Sequence, residues 1–398
     1  MIKGIKIRLA PTKEQELLFW KSAGTARFAY NYHLRKNIEN YENGGKYLND
    51  RVIRKEITQL KKTEEFKWLN EVGCNVIKQA VKDCDEAYKK FFKKNGGFPK
   101  FKKKYKSKPS FYINYETLSK TSKGFRGEKI GEVKTTSPMP ELPINQKHYS
   151  NPRISFDGRN WFLSVGIEYQ EEKIETTSTV LGIDLGIKEL AICSDGYTYK
   201  NINKTKEIKR LNKKLKREQR KLSRMIEDKM IDYKVIGKKR YPIFIKPLRE
   251  CKNYVKQLKV INRIYKRLTD IRNNYLHQTT RAIVNRKPKA IVLEDLNVKG
   301  MMKNKHLSKA IAEQKFYTFR QMIEYKCKLV GIEVVFVNRF YSSSKTCSCC
   351  GNIKKDLKLS DRTYKCEKCG LIIDRDYNAS LNLANCYIDN HDLIKQTN

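Results

Sequence analysis

Residues 180–193 read VLGIDLGIKELAIC, and the nature of the second half of the chain turns on this stretch. A short apolar run from Val180 to Ile183 ends in a single carboxylate, Asp184, and Gly186 breaks the chain two residues later. With the continuation SDGYTYK, the pattern predicts three short strands interrupted at Gly186 and at Asp195-Gly196. A second apolar run, AIVLE at 290–294, repeats the arrangement and ends in Glu294. Continuous apolar runs of this kind are typical of parallel strands buried on both faces. An acid at the end of such a strand is costly unless it is paired or holds a cation.

A third acid, Asp376, opens the helix predicted over DYNASLNLAN. Two strand-end acids at one sheet edge, joined by a third from a helix packed on the sheet, would form an oxygen-lined site for hard divalent cations. Phosphodiester hydrolysis builds negative charge on the attacking water, the leaving oxygen and the phosphoryl oxygens together. Two Mg2+ ions about 3.5–4 Å apart neutralise that charge and align the attack. The expected roles are Asp184 as the bridging ligand, with Glu294 and Asp376 each anchoring one magnesium. Each acid alone has an ordinary alternative: a turn for Asp184, a surface acid beside Asp295 for Glu294, a helix cap for Asp376. Asp374 competes with Asp376 for the third place. As a set in this strand and helix context, the acids point to an RNase H-like domain.

Working outward, two long basic helices are expected at about 204–233 and 251–286, each with an apolar stripe on a seven-residue pattern. A strand at KAIVLEDL, a helix from Ser308 to Val330 and a strand at IEVVFVN follow. Toward the N-terminus, KGIKIRLA reads as a strand, and Thr12 with Gln15 forms a capping-box pattern that opens a helix. Helical pattern continues to about Lys94, where Gly96, Gly97 and Pro99 end it. The segment FPKFKKKYKSKPSFYINYE mixes lysines with aromatics, as suits phosphate contact with base stacking, against the plain alternative of a solvated basic loop. Lys102, Lys103, Lys104 and Tyr105 are therefore candidate nucleic-acid contacts, with Lys78 and Gln79 on the preceding helix. RISFDGRNWFLSVGIEYQ reads as strands turning at Asp157-Gly158, and Glu171–Thr179 as a linker.

Composition narrows the partners. The 398 residues carry 85 Lys and Arg against 43 Asp and Glu, a formal net charge of +42. Solubility needs far less, so the excess calls for a polyanion, and nucleic acid leads because Lys and Arg release condensed counterions from phosphates. No apolar run approaches the ~18 residues of a membrane span, and MIKGIKIRLAPTKEQ lacks a signal-peptide core, so a cytoplasmic setting without a membrane partner is expected. Eleven cysteines in such a setting indicate metal or thiol roles rather than disulfides. Five cluster at 347–369, where Cys347-x-x-Cys350 is separated by fifteen residues from Cys366-x-x-Cys369. That spacing fits one structural Zn2+ held by four thiolates at about 2.3 Å. Cys349 competes with Cys350, although the two-residue gap favours Cys350.

The motifs GIDLGIK at 182–188, VLEDLNVKGM at 292–301, SSKTCSCCG at 343–351, CEKCG at 366–370 and DRDYNASLNL at 374–383 together resemble the TnpB family. These are transposon-encoded RNA-guided nucleases related to the compact type V CRISPR effectors. The resemblance is specific in the C-terminal set and looser over residues 1–170. It implies a mixed α/β and α+β multidomain chain: a WED-like β-barrel (1–10 and 98–172) interrupted by a helical recognition domain (11–97), and a split RuvC nuclease domain (180–343 and 371–390). A zinc ribbon (344–370) would be inserted before the last helix, and 391–398 would form a tail. The family's nuclease acids fall on Asp184, Glu294 and Asp376, the last matching a D-x-N pattern with Asn378. The implied partners are a guide RNA from the transposon end and a double-stranded DNA target beside a short motif, in a prokaryotic cytosol. A third cysteine, Cys349, departs from the family's usual pattern. Three other readings are compatible with parts of the sequence: a nuclease-inactive RNA-guided repressor, a strand-transferring transposase and a nucleic-acid-binding protein without activity.

Overall fold

The computed structural model describes residues 2–104, 106–169, 174–237, 239–358, 361–389 and 394–396. The chain divides into two compact units, Met1–Tyr169 and Gln170–Asn398.

In the first unit, strand β1 (Ile2–Ala10) leads into helix α1 (Lys13–Glu42). The capping box forms as the sequence indicates: Gln15 N donates to Thr12 Oγ1 at 3.2 Å, and Thr12 N donates to Gln15 Oε1 at 3.1 Å. Helix α2 (Asp50–Leu60), a 3-10 turn at Glu64–Glu71 and helix α3 (Cys74–Phe92) complete a helical insert. The chain then returns to strands β2 (Ser110–Tyr112), β3 (Ser119–Lys120), β4 (Gly124–Gly127), β5 (Gly131–Thr135), β6 (Ser150–Phe156) and β7 (Trp161–Glu168). The hydrogen-bonded order is β2-β6-β7-β1-β5-β4-β3. Strand β1 pairs with β7 along Ile2–Arg8, then passes to β5 at Leu9 and Ala10. Among the described residues no pairing joins β3 back to β2, so the ladder is a bent open sheet rather than the closed barrel expected. Its core joins helices to sheet, with Phe19 buried against Phe111 and Trp161.

The second unit is built on a six-stranded sheet in the order β10-β9-β8-β13-β14-β17. Its strands are β8 (Val180–Leu185), β9 (Glu189–Cys193), β10 (Thr198–Lys200), β13 (Ala290–Glu294), β14 (Glu333–Val337) and β17 (Ile394–Gln396). Between β10 and β13 come α4 (Lys206–Glu227), the hairpin β11 (Met230–Ile236) with β12 (Lys239–Phe244), and α5 (Lys252–Val284). The first long helix thus ends six residues before its expected limit of 233, because Tyr233, Val235 and Ile236 enter a hairpin turning at Gly237. Helices α6 (Val298–Met301), α7 (Ser308–Gln314) and α8 (Phe316–Val330) follow, with α7 and α8 separated at Lys315, whose φ is 56°. The small strands β15 (Thr363–Lys365) and β16 (Ile372–Asp374) pair with each other, and helix α9 (Arg375–Asp389) follows directly. The region expected as a C-terminal tail contributes β17 to the sheet edge instead, antiparallel to β14.

Both faces of this sheet are covered, which explains the unbroken apolar runs. Leu181, Ile183, Ile291, Leu293, Val334 and Phe336 pack with α5 and α8 on one face. Ala290, Val292, Val335 and Val337 pack with Leu383, Cys386 and Tyr387 of α9 on the other. The linker is tied in: Thr177 N donates to the Lys287 carbonyl at 2.7 Å.

Candidate functional site: an acidic cluster beside a four-cysteine knuckle

Strands β8 and β13 run parallel in a register that ends with Leu293 opposite Ile183. Asp184 and Glu294 are the next residues on each strand, side by side at the carboxyl ends. Side chains alternate along a strand. Glu294 therefore shares the face of Ala290 and Val292, and Asp184 that of Gly182, which is the face covered by α9. A Cβ built on Gly182 would lie 2.1 Å from the Ser380 carbonyl oxygen and 2.6 Å from Ala384 N, so only glycine lets α9 seat at this depth. That seating brings the first turn of α9, with Asp376, toward the strand-end acids.

The electrostatics record the convergence. Burial raises the Asp184 carboxyl to about 7; the charges of Asp376, Glu294 and Asp374 push the same way, while Arg375 opposes them. Glu294 is also raised, chiefly by burial and then by Asp295. Asp295, on the opposite face, has a different fate. Burial would raise it, but Arg320 Nη1 at 2.6 Å and Arg339 Nη2 at 2.9 Å hold its carboxylate below the usual range. The strand thus sorts its two consecutive acids, Glu294 toward the cluster and Asp295 into ion pairs.

Asp374 and Asp376 are likewise separated. Asp374 Oδ1 accepts from the backbone N–H groups of Asp376 and Tyr377, both at 3.0 Å, so the capping role belongs to Asp374. Asp376 instead faces two arginines: Arg375 Nη2 donates to Oδ1 at 2.9 Å, and Arg362 Nη1 lies 3.6 Å from Oδ2. These arginines were not singled out from sequence. Among the described residues, the three acids do not form a set with ligand atoms all within 4.8 Å; the cysteines do. An all-oxygen donor set in which Asp376 and Glu294 raise the proton affinity of Asp184 is nevertheless suited to hard cations, which would relieve that repulsion.

The sulfurs of Cys347, Cys350, Cys366 and Cys369 lie within 4.8 Å of one another. Cys347 Sγ is 3.6 Å from Cys369 Sγ, and Cys350 Sγ is 3.5 Å from Cys366 Sγ. A tetrahedron with metal–sulfur bonds of about 2.3 Å has edges near 3.8 Å, and these two separations are close to that length. Cys349 is exposed and lies outside the group, whereas Cys350 is within it. Tyr364 fills the space beneath, fully buried, its hydroxyl donating to the Lys345 and Asn352 carbonyls at 3.2 Å each.

The knuckle is fastened to α9 by asparagines spaced one and two turns apart. Asn378 Oδ1 accepts from Ser348 N at 3.0 Å, and its Nδ2 donates to the Thr346 carbonyl at 2.7 Å. Asn382 Nδ2 donates to the carbonyls of Ser343 at 2.7 Å and Thr346 at 2.6 Å, and Asn385 Nδ2 reaches the Ser348 carbonyl at 3.4 Å. Asn378 and Asn382 are buried. Sequence reading noted Asn378 only as part of a motif. The helical spacing 378, 382, 385 was the available signal for a shared face.

The N-terminal candidates divide. Lys78 is exposed on α3, while Gln79 Nε2 donates to Asp83 Oδ1 at 3.0 Å, beside the bidentate Arg153–Asp83 pair at 2.7 Å. Lys102 departs from the expected phosphate contact: its ammonium sits 3.8 Å from the Tyr30 ring centroid, and burial lowers its pKa. Lys103 and Lys104 are exposed, and Tyr105 lies outside the described residues. Among the described residues no helix is long and apolar enough to cross a membrane.

Comparison with known proteins agrees with this organisation. Residues 163–305 match the OrfB_IS605 family model, described as "Probable transposase", and residues 316–383 match the "Cas12f1-like, TNB domain". Residues 1–46 match a model described as "Helix-turn-helix domain", although here they hold β1 and the single long helix α1. A Streptomyces pristinaespiralis protein named "Putative RNA-guided DNA endonuclease" is 29% identical over 392 residues, 96% of this chain and 88% of its own length. Its Escherichia coli K12 counterpart InsQ, named in the same terms, is 27% identical over 96% of this chain and 91% of its own length. The protein of a Cas12f1–sgRNA–target DNA complex superposes with a TM-score of 0.55 at 14% identity, covering 97% of this chain and 99% of that one, a likeness of fold. In the models it matches and in its relatives, the chain is similar to TnpB-like proteins, among them the mimivirus TnpB-like protein L79, 34% identical over 38% of this chain and 30% of its own length.

Proposed function

We propose that the protein is an RNA-guided DNA endonuclease whose nuclease centre is Asp184, Glu294 and Asp376. The observation that carries this reading is the parity of β8 and β13, which turns two strand-end acids toward the helix that bears the third. The names of full-length relatives supply the RNA guide and the DNA substrate. The second unit is read as an RNase H-like (RuvC) domain at 180–343 and 371–390, with a zinc ribbon at 344–370. The first is read as a WED-like sheet carrying a helical recognition insert at 11–97.

Asp184, Glu294 and Asp376 would hold two Mg2+ ions, which when bound supply Lewis-acid activation of water and charge neutralisation at the phosphate. The residues' own contribution is to present carboxylate oxygens from rigid elements. Asp184 must lose its proton to do so, Glu294 is separated from Asp295 by strand alternation, and Asp376 is held in the first turn of a helix capped by Asp374. Arg362 and Arg375 neutralise Asp376 and bring positive charge to the place where a phosphate would arrive. One structural Zn2+ on the four cysteines would fix the ribbon beside α9. All three acids being present argues against a nuclease-inactive repressor, and an aspartate in the last position argues against strand transfer.

The test is to purify the protein from cells that also express the DNA flanking its gene, sequence the copurifying RNA, and supply duplex DNA matching that RNA. One discrete RNA species, with cleavage that requires Mg2+ and stops with chelator, supports the proposal. Random RNA fragments and an intact target refute it.

A further inference from the structure

On the first unit, a cleft of about 570 Å³ opens along α1 and the 3-10 turn Glu64–Glu71. Phe28, Tyr32 and Arg35 lie on one face of α1 at helical spacing, with Arg27 beside them and Trp68 across from them. Phe28 is the hub: its ring centroid is 5.3 Å from Trp68, edge-on, 5.9 Å from Tyr32 and 5.7 Å from Phe66. Trp68 is nonetheless 39% exposed, a large aromatic surface left in contact with water.

The polar groups of the cleft are of two kinds. Lys21 is paired with Glu71, the Tyr32 hydroxyl donates to Glu56 at 3.1 Å, and Asn31 bonds the Lys102 backbone through both side-chain atoms. By contrast, the guanidinium groups of Arg27 and Arg35 have no hydrogen bond or ion pair among the described residues. What the cleft offers is therefore flat aromatic surface flanked by two uncommitted, permanently charged forks. That combination matches a planar ring attached to an anion. Acidic peptides supply the charge without the ring, and duplex nucleic acid keeps its base faces stacked. An unstacked nucleotide supplies both.

We propose that this cleft binds one unpaired nucleotide of a single-stranded nucleic acid, its base against Trp68 and Phe28 and its phosphate on Arg27 and Arg35. The site goes beyond the endonuclease reading, since it lies on the other unit and holds whether or not the acids cut DNA.

The test uses full-length protein and short single strands of RNA and of DNA carrying 5-iodouracil, in salt high enough to suppress non-specific phosphate contacts. Ultraviolet crosslinking should join the base to a peptide containing Phe28, Tyr32 or Trp68. Trp68→Ala should weaken binding about tenfold, Trp68→Phe much less, and Arg35→Gln should weaken it and flatten its salt dependence. A crosslink with RNA alone or DNA alone identifies the strand, and either supports the site. Asp184→Ala protein should crosslink as wild type does, so a failure of the nuclease reading leaves this result standing. The proposal is overturned if neither strand crosslinks within the cleft, or if Trp68→Ala binds both as tightly as wild type. Polyglutamate binding with the same Trp68 dependence would also overturn it, by assigning the cleft to an acidic peptide.

Discussion

Gly182 on β8 and Ser380 on α9 approach so closely that an added methyl on the glycine would lie 2.1 Å from the serine's carbonyl oxygen. The contact sits two residues before Asp184 and four after Asp376, so it sets how near the first turn of α9 comes to the sheet. Gly182→Ala should push the helix outward. The expected cost is about 1–3 kcal/mol of stability, read as a lowered thermal midpoint, together with weaker Mg2+ binding measured by calorimetry. Unchanged Mg2+ affinity in a folded variant would show that the seating of α9 does not govern the acids.

The asparagine clamp makes a separable prediction. Asn378→Ala removes two buried hydrogen bonds to the knuckle and should cost about 1–3 kcal/mol. Zinc content should stay at one per chain, because no thiol is touched, while DNA cleavage falls. Loss of zinc in this variant would mean that the asparagine supports the metal shell itself rather than linking it to α9.

The four-cysteine shell predicts different outcomes for neighbouring thiols. Cys366→Ser should lose the zinc and unfold the region around Tyr364, since structural zinc contributes folding energy directly. Cys349→Ser should retain one equivalent, because that side chain is outside the cluster. Metal analysis of the two purified variants decides the assignment, and zinc loss from the second would contradict it.

Asp184 gives the metal-free protein a pH dependence with a definite sign. Unfolded, it titrates near the ordinary 3.8; folded, near about 7. Within that window the folded state keeps a proton that the unfolded state has lost, so the stabilising contribution present at low pH is lost as pH rises and levels off above the folded value. Asp184→Asn should flatten this slope in urea unfolding followed across the window. Mg2+ affinity of the wild type should climb with pH to about 7 and then level off. An identical stability slope in the variant would assign the titration to another group.

These relationships were legible in the sequence to different depths. The strand-end acids stood out because apolar runs such as VLGID and AIVLE are visible as chemistry, and the cysteine pairs because ligand spacing is a chain property. Strand alternation could have sorted Glu294 from Asp295 only once α9 was known to cover one face and Arg320 and Arg339 the other. The separation of Asp374 from Asp376 rests on cap geometry a single residue apart. Lys102 misled because a lysine among lysines reads as solvated, and only the tertiary fold brings Tyr30 beneath its ammonium. The hairpin after α4 was hidden by a basic segment whose heptad pattern ran up to it, and β17 pairs with a strand more than fifty residues away.

The measurement that bears most directly on the central claim is cleavage of guide-matched duplex DNA by the Asp184→Ala ribonucleoprotein in Mg2+. Guide RNA and target should still bind within about twofold of wild type, while cutting drops to background, a loss of at least about a thousandfold. Cutting at the wild-type rate by that variant would place the chemistry elsewhere in the molecule.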